Sequence, residues 1–386
     1  MKVCFETFGC RLNRAEALQD EANFLSRGWV RTESHAEADL VVVRGCSVTA
    51  RAERDCRKLI SHLRAKYPNK RVSVVGCLKD RDDRPAVPDD PLALPQRTAR
   101  AYLKVQDGCS GACTFCIVPQ FRGASQSVPF EAVLDKARRF IASGYREIVV
   151  TGCNLGQYLH EGRRFPELLD ALLRLAAEGA EPCRIRLGSL EPGPTALETV
   201  RTLAAHANAC RFLHIPLQSG SNRILAAMRR PYLVRDVEAL VNEAVRLMPN
   251  LGLGCDLMTG FPDETDMDFL ATRAFLNRQP FSNAHVFPYS ERPGTPAAKF
   301  GGVVPQEIRR ERAHELADLA AHLRRRQARR FAGREVEMIV EDEKKPCGWT
   351  SEYFACKATG RAARKSCVRV RVTSVGSDGT LRGTIV

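Results

Sequence analysis

The chain has 386 residues, 44% of them hydrophobic, and carries 59 Lys and Arg against 45 Asp and Glu for a formal net charge of +14. That length calls for two or three domains with sizeable cores, which excludes a disordered or fibrous chain. No stretch of about 18 apolar residues appears, and the opening MKVCFETFGC lacks the charged-then-apolar order of a signal peptide, so the expected location is the cytoplasm.

The N-terminal stretch alternates strands and helices. Residues 2 to 9 (KVCFETFG) read as a strand, 13 to 28 as a helix with a glycine stop, and 38 to 45 (ADLVVVRG) as a buried strand. A second helix over 49 to 68 closes at Pro68, and 71 to 76 (RVSVVG) is a third strand, giving a parallel α/β pattern. Each strand runs straight into a cysteine: Cys10, Cys46 and Cys77. Ligands of open parallel sheets gather at the carboxyl ends of strands, so these three thiols are placed to converge. Residues 78 to 100 carry four prolines and many charges, the composition of a linker.

From Tyr102 a second series of βα units begins, with strands near positions 102, 146, 184, 211, 251 and 284 and helices over 130 to 143, 165 to 178, 233 to 247 and 265 to 277. Six units over about 200 residues suit a partial barrel, because a complete eight-stranded one takes about 250 residues. Its functional face is the C-terminal end of the strands. Residues 305 to 333 form one long basic helix, and REVEMIVED, SCVRVRVTSVGS and LRGTIV then alternate apolar and polar residues as a small β-barrel does. Residues 301 to 386 hold 18 Lys and Arg against 11 Asp and Glu, half of the excess charge, which points to a polyanion such as nucleic acid.

Fifteen cysteines in a reducing compartment are thiols open to metals or chemistry, and their odd number excludes a fully paired disulfide set. Three crowd the loop DGCSGACTFC as Cys109, Cys113 and Cys116, with Gly108 and Gly111 beside them. A structural zinc takes four protein ligands, and this loop has neither a fourth cysteine nor a histidine. A four-iron cluster held by three thiolates keeps one iron open for chemistry. The competing reading, three small buried hydrophobes at helical spacing, fits poorly with two glycines inside the run.

Cys-x-x-x-Cys-x-x-Cys after the first strand of a partial barrel resembles the radical S-adenosylmethionine superfamily, and the resemblance covers the central 230 residues. TFGCRLNRAE, VVRGCSVTARAERDCRK and VVGC resemble the N-terminal cysteine motifs of its methylthiotransferase branch. TGCNLGQY, RLGSLEP, HIPLQSGSNRILAAMRRPY, DLMTGFPDET and HVFPYSERPGTPAA look like the same family, closest to the enzymes that methylthiolate N6-threonylcarbamoyladenosine beside the tRNA anticodon. The C-terminal strands resemble a TRAM domain, an RNA-binding module.

The resemblance implies a shortened N-terminal methylthiotransferase domain (1–85), a linker (86–98), a radical S-adenosylmethionine core with a partial (β/α)6 barrel (99–328) and a TRAM-like barrel (329–386). It implies two [4Fe-4S] clusters, one on Cys109, Cys113 and Cys116 and one on Cys10, Cys46 and Cys77, together with S-adenosylmethionine, a tRNA anticodon stem-loop and a flavodoxin- or ferredoxin-like electron donor. One S-adenosylmethionine methylates a sulfur at the N-terminal cluster, a second yields a 5'-deoxyadenosyl radical at the barrel cluster, and a methylthio group ends on carbon 2 of the adenine. The 31 residues between Cys77 and Cys109 are fewer than the family usually carries, which leaves the extent of the N-terminal domain open.

Gln218, Ser189 and Glu191 follow strands of the barrel and are expected beside the cofactor, with Asp256 a further candidate; turn or capping roles compete. Cys153 also follows a strand and could intrude on the mouth, but a buried structural thiol is the favoured reading, as it is for Cys4, Cys56, Cys183, Cys210 and Cys255. Cys347, Cys356 and Cys367 lack a paired Cys-x-x-Cys, so no zinc site is assigned to them. LRRRQARR (323 to 330) is expected to grip anticodon-stem phosphates, with Trp349 and Tyr353 stacking on bases.

Isopentenyladenosine and a ribosomal-protein aspartate remain alternative substrates within the family. A small-molecule radical enzyme with a corrinoid-binding N-terminal domain would need an Asp-x-His-x-x-Gly ligand motif that the sequence lacks. The non-enzymatic alternative is an RNA-binding iron-sulfur protein.

Overall fold

The computed structural model describes residues 1–78, 93–95, 97–178 and 181–386, so most of the expected linker and the end of the first domain lie outside the described residues. The N-terminal sheet holds β1 (Lys2–Thr7), β2 (Val30–Arg31), β3 (Leu40–Gly45) and β4 (Arg71–Gly76), all parallel, in the order β2-β1-β3-β4. Helices α1 (Arg11–Leu25) and α2 (Ala50–Lys66) pack on it. Val41, Val43 and Val74 face Cys56, Ile60 and Leu63 of α2 in one apolar layer, while Val3, Leu40 and Val42 face Phe24 of α1 in another. A β-branched run buried on both faces is what such a parallel sheet requires. The two-residue β2 was not read from the sequence, because so short an edge strand has no periodicity.

The six expected barrel strands are present: β5 (Ala101–Lys104), β6 (Glu147–Thr151), β7 (Arg184–Leu187), β8 (Phe212–Gln218), β9 (Gly252–Thr259) and β10 (Asn283–Pro288). They form two parallel three-stranded sheets joined by the isolated bridges Ile185–Ala209 and Ser189–His214, an open partial barrel. Leu213, Ile215 and Leu217 of β8 and Leu253, Cys255 and Leu257 of β9 belong to the large core. The alternate residues, Phe212, His214 and Asp256 among them, therefore line the concave side.

The helices Phe130–Ala142, Phe165–Ala177, Val234–Leu247 and Asp266–Arg278 match expectation within two residues. Val118–Arg122, Ala196–Ala205 and Asn222–Ala227 were not expected; they are short, and the first follows directly on the cysteine loop. The basic helix runs Gln306–Ala328 and then tightens into a 3-10 turn, Arg329–Phe331, that buries Phe331 in the C-terminal core.

Five strands close the C-terminal barrel, and two of them, Cys347–Thr350 and Ala355–Thr359, are too short to show alternation in the sequence. A buried ion cluster docks it. Glu147 of β6 is wholly buried and binds Arg184 Nε at 2.6 Å and Arg186 Nε at 2.7 Å. Those two arginines in turn donate to the carbonyls of Glu337, Trp349, Thr350 and Ser351. No helix among the described residues is long and apolar enough to cross a membrane.

Candidate iron-sulfur and cofactor site

Strand register builds the first thiol site. Gly45 pairs with Gly76, so the next residues, Cys46 and Cys77, leave adjacent strand ends side by side, about 5 Å apart between strands. Cys10 arrives from the neighbouring strand through a turn at Gly9, whose φ of +100° is open only to glycine. A Cβ on Gly9 would stand 2.6 Å from Cys46 Sγ, so that backbone lies directly against the thiol.

Asn13, fully buried on the first turns of α1, fastens the ends together. Its amide donates to Phe8 O at 2.9 Å and Gly45 O at 2.8 Å. Cys46 and Cys77 are buried and Cys10 is exposed. Burial pushes the Cys46 thiol up to about 11, with the charges of Cys10 and Cys77 adding to the rise.

The second site is one loop. Gly108 (φ +64°) lies against the backbone of Ala124, where a Cβ would meet Ala124 O at 2.0 Å. Gly111 N donates to Cys109 Sγ at 3.3 Å, and a Cβ on Gly111 would stand 3.3 Å from Cys109 Sγ and 3.9 Å from Cys113 Sγ. Burial pushes Cys116 up to about 11, with Cys113 and Cys109 adding to the rise.

Both sites open at the C-terminal mouth of the barrel. The Cys109 loop leaves β5 there, and Ala50, just past Cys46, donates to Ser290 Oγ at 2.9 Å beyond the end of β10. A cubane cluster interposes iron and sulfide between its ligands, so its thiols stand wider apart than those of a single ion. The donor chemistry fits: each set is three free thiols with N–H groups directed at a ligand sulfur, from Gly111 and Arg230 in one and Arg122 in the other.

Each triad also has one guanidinium on a sulfur. Arg230 NH1 stands 3.1 Å from Cys113 Sγ, and Arg122 Nε stands 3.0 Å from Cys77 Sγ.

Residues 103–276 match the Radical SAM superfamily and residues 2–92 match the Uncharacterized protein family UPF0004. A threonylcarbamoyladenosine tRNA methylthiotransferase of Bacillus subtilis is 31% identical over 91% of this chain and 89% of its own length. The chain belongs to the radical S-adenosylmethionine tRNA methylthiotransferase family.

The Aquifex aeolicus threonylcarbamoyladenosine tRNA methylthiotransferase is 30% identical over 96% of this chain and 100% of its own. A tRNA-2-methylthio-N(6)-dimethylallyladenosine synthase of Chlorobium phaeobacteroides is 32% identical over 89% and 87%. The solved structure of the radical S-adenosylmethionine methyltransferase TsrM from Kitasatospora setae, with cobalamin and a [4Fe-4S] cluster bound, shares the fold. Its TM-score is 0.57 at 16% identity, over 77% of this chain and 76% of that one. As a member of its family the chain is a transferase that uses [4Fe-4S] chemistry and S-adenosylmethionine.

The residues expected to touch S-adenosylmethionine have different surroundings. Gln218 ends β8 with φ +67°, and its Oε1 is buried without a hydrogen-bond partner. Ser189 is exposed beside the bridge to His214. Glu191 forms an ion pair with Arg230, the arginine on Cys113. Asp256 is taken up by two imidazoles, His214 Nε2 at 3.0 Å and His285 Nδ1 at 3.1 Å. Burial alone would raise its carboxyl, but these two histidines outweigh that and hold it well below the usual carboxylate range.

Two expectations are corrected. Cys153 is only half-buried, 3.7 Å from Asp107 Oδ1, because the turn after β6 faces the mouth, the alternative that the sequence also offered; Cys4, Cys56, Cys183, Cys210 and Cys255 are buried as expected. Tyr353 is not free to stack on bases. Its ring lies on Trp349 (4.5 Å, 18°), near Phe212 (4.7 Å), and under the guanidiniums of Arg11 and Arg186, at the junction of three domains.

In LRRRQARR, Arg324 covers Phe354 and Arg330 holds Pro249 O at 2.6 Å, which leaves Arg326 and Arg329 exposed for phosphate. Asn13, Arg122, Arg230, His214 and His285 were not singled out from the sequence. Only the nearness of Asn13 to Cys10 and of Arg122 to Cys116 hinted at the first two.

Proposed function

We propose that the protein adds a methylthio group to carbon 2 of N6-threonylcarbamoyladenosine beside the anticodon of tRNA. Cys109, Cys113 and Cys116 would hold the [4Fe-4S] cluster that binds S-adenosylmethionine, and Cys10, Cys46 and Cys77 a second one. The observation that carries this reading is the pair of three-thiol sites at one barrel mouth, each a ligand short of a closed cluster.

When bound, the cluster on Cys109, Cys113 and Cys116 would supply an electron for radical chemistry on S-adenosylmethionine, and the one on Cys10, Cys46 and Cys77 would supply sulfur. An aromatic carbon-hydrogen bond has neither acidity nor a leaving group, which is why radical chemistry is needed. The chain's own residues position the reactants and keep water out. Gln218 Oε1, an acceptor buried without a partner, suits an amino group of the bound cofactor. The Glu191–Arg230 pair holds the cysteine loop against the end of β8, where Arg230 NH2 also reaches Pro216 O at 3.3 Å.

The choice of the threonylcarbamoyl substrate is supported by the relatives of that name that align over nearly their whole length, and the excess charge of residues 301 to 386 suits tRNA. The electron donor is a flavodoxin- or ferredoxin-like protein of the cytoplasm. Nucleoside mass spectrometry of tRNA from cells with and without the gene tests the substrate. The methylthio form of threonylcarbamoyladenosine should vanish. Its persistence together with loss of the methylthio isopentenyl nucleoside would move the assignment to that substrate.

A further inference from the structure

One side chain joins the two thiol sites. Arg122 ends the short helix Val118–Arg122, six positions after Cys116, yet its guanidinium lies in the N-terminal site. Nε donates to Cys77 Sγ at 3.0 Å, NH1 to Glu16 Oε1 at 3.0 Å and Asp107 Oδ1 at 2.9 Å, and NH2 to Asn13 Oδ1 at 2.8 Å and Glu16 Oε2 at 3.0 Å. All five N–H donors of the guanidinium are thus used, and the side chain is 8% exposed. The partners come from both domains: Asn13 and Glu16 from α1, Cys77 from the end of β4, and Asp107 from the loop that begins the barrel triad.

The electrostatics give this contact a direction. Glu16 and Asp107 flank the guanidinium that sits on the thiol, with Lys104 and Arg44 as the other cations on Glu16 and Lys104 also on Asp107. Burial would raise the Glu16 carboxyl, but Arg122 above all, then Lys104 and Arg44, brings it down to about 2. Three thiolates beside these carboxylates make a site that resists a further electron. A guanidinium on a ligand sulfur offsets that, because N–H···S bonds and nearby positive charge favour the reduced cluster. Arg230 on Cys113 is the counterpart at the other site, but it reaches its thiol from within the barrel.

We propose that Arg122 is a positioning residue for the N-terminal cluster: it locks Cys77 to the segment that carries the barrel triad and raises the reduction potential of the cluster that Cys77 helps to hold. This rests on the reading that Cys10, Cys46 and Cys77 bind a cluster. Lysine cannot replace it, because a single ammonium cannot reach a sulfur, two carboxylates and an amide in one plane.

The test uses the full-length, anaerobically reconstituted protein and its Arg122→Lys and Arg122→Met variants. Iron and sulfide are counted, and both clusters are titrated by EPR. Signals are assigned with a Cys109→Ala/Cys113→Ala/Cys116→Ala protein that keeps only the N-terminal cluster, and Arg230→Lys serves as the control expected to move the barrel cluster alone. The N-terminal potential should fall in Arg122→Lys and further in Arg122→Met, with the barrel potential unmoved. Cleavage of S-adenosylmethionine should persist while methylthio product falls about 10- to 100-fold. Loss of the N-terminal cluster alone from either variant supports the same role. About eight irons per chain with an unmoved N-terminal potential in both variants would overturn this proposal alone. About four irons in the unsubstituted protein would overturn it together with the two-cluster reading.

Discussion

The two thiol triads solve the same ligand problem at different distances along the chain. Cys109, Cys113 and Cys116 lie on one loop, so a single backbone path between Gly108 and Ile117 sets their spacing. Cys10, Cys46 and Cys77 lie on three strand ends and meet only when β1, β3 and β4 are in register and Asn13 ties the turns together. The first site needs a loop. The second needs a folded domain, and its occupancy therefore reports on tertiary structure as the first does not.

Removing one ligand from each site tests the comparison most strongly. Cys109→Ala should abolish reductive cleavage of S-adenosylmethionine, whereas Cys46→Ala should leave abortive cleavage without methylthio product; each should halve the iron per chain. Equal loss of cleavage in both would break the division of labour. The readout is 5'-deoxyadenosine formed with dithionite as reductant.

The next largest effect concerns the scaffold of the barrel site. Burial would raise the Glu147 carboxyl, but Arg186, Arg184 and Arg100 outweigh it and hold it far below the usual carboxylate range. Glu147→Gln leaves Arg184 and Arg186 buried without their counter-charge and should cost about 3–5 kcal/mol in urea unfolding at neutral pH. A depressed folded value contributes stability that is present above the unfolded value of about 4.3 and is lost as pH falls toward the folded one. The difference between the two proteins should therefore shrink below about pH 4. A constant difference across that range would assign the effect to packing instead.

Much of this architecture is legible in the residues. Alternating βα units gave all six barrel strands because each is a short apolar run followed by a helix of regular period. The strand-end cysteines were readable because a parallel sheet directs its carboxyl ends to one side. What escaped is what depends on three dimensions. Arg122 and Arg230 are two among 59 basic residues, and nothing in their neighbourhood says which sulfur each will meet. Asp256 looked free for a cofactor because its histidine partners lie 42 and 29 positions away on neighbouring strands. Tyr353 looked available for a base because its stack is completed by Phe212 of another domain.

The smallest effects lie at two glycines and divide the sites again. Alanine at Gly9 must adopt a φ of +100° and place its Cβ 2.6 Å from Cys46 Sγ and 3.2 Å from Asn13 Nδ2. The strain alone is about 1–3 kcal/mol, and relief requires moving either a ligand or the residue that fixes the ligands. Gly9→Ala should therefore lower N-terminal cluster occupancy while the barrel cluster still cleaves its cofactor. Gly111 has no such backbone demand, and its added methyl meets Cys109 Sγ at 3.3 Å, a contact that a shift of a few tenths of an ångström relieves. Restricting the unfolded chain at that position returns about 0.4–1 kcal/mol, so Gly111→Ala should keep both clusters and most of the activity. Iron per chain and the EPR intensity of each cluster measure both variants. A Gly111→Ala protein that lost its barrel cluster while Gly9→Ala kept the N-terminal one would invert the ranking, making the one-loop site the less tolerant of the two.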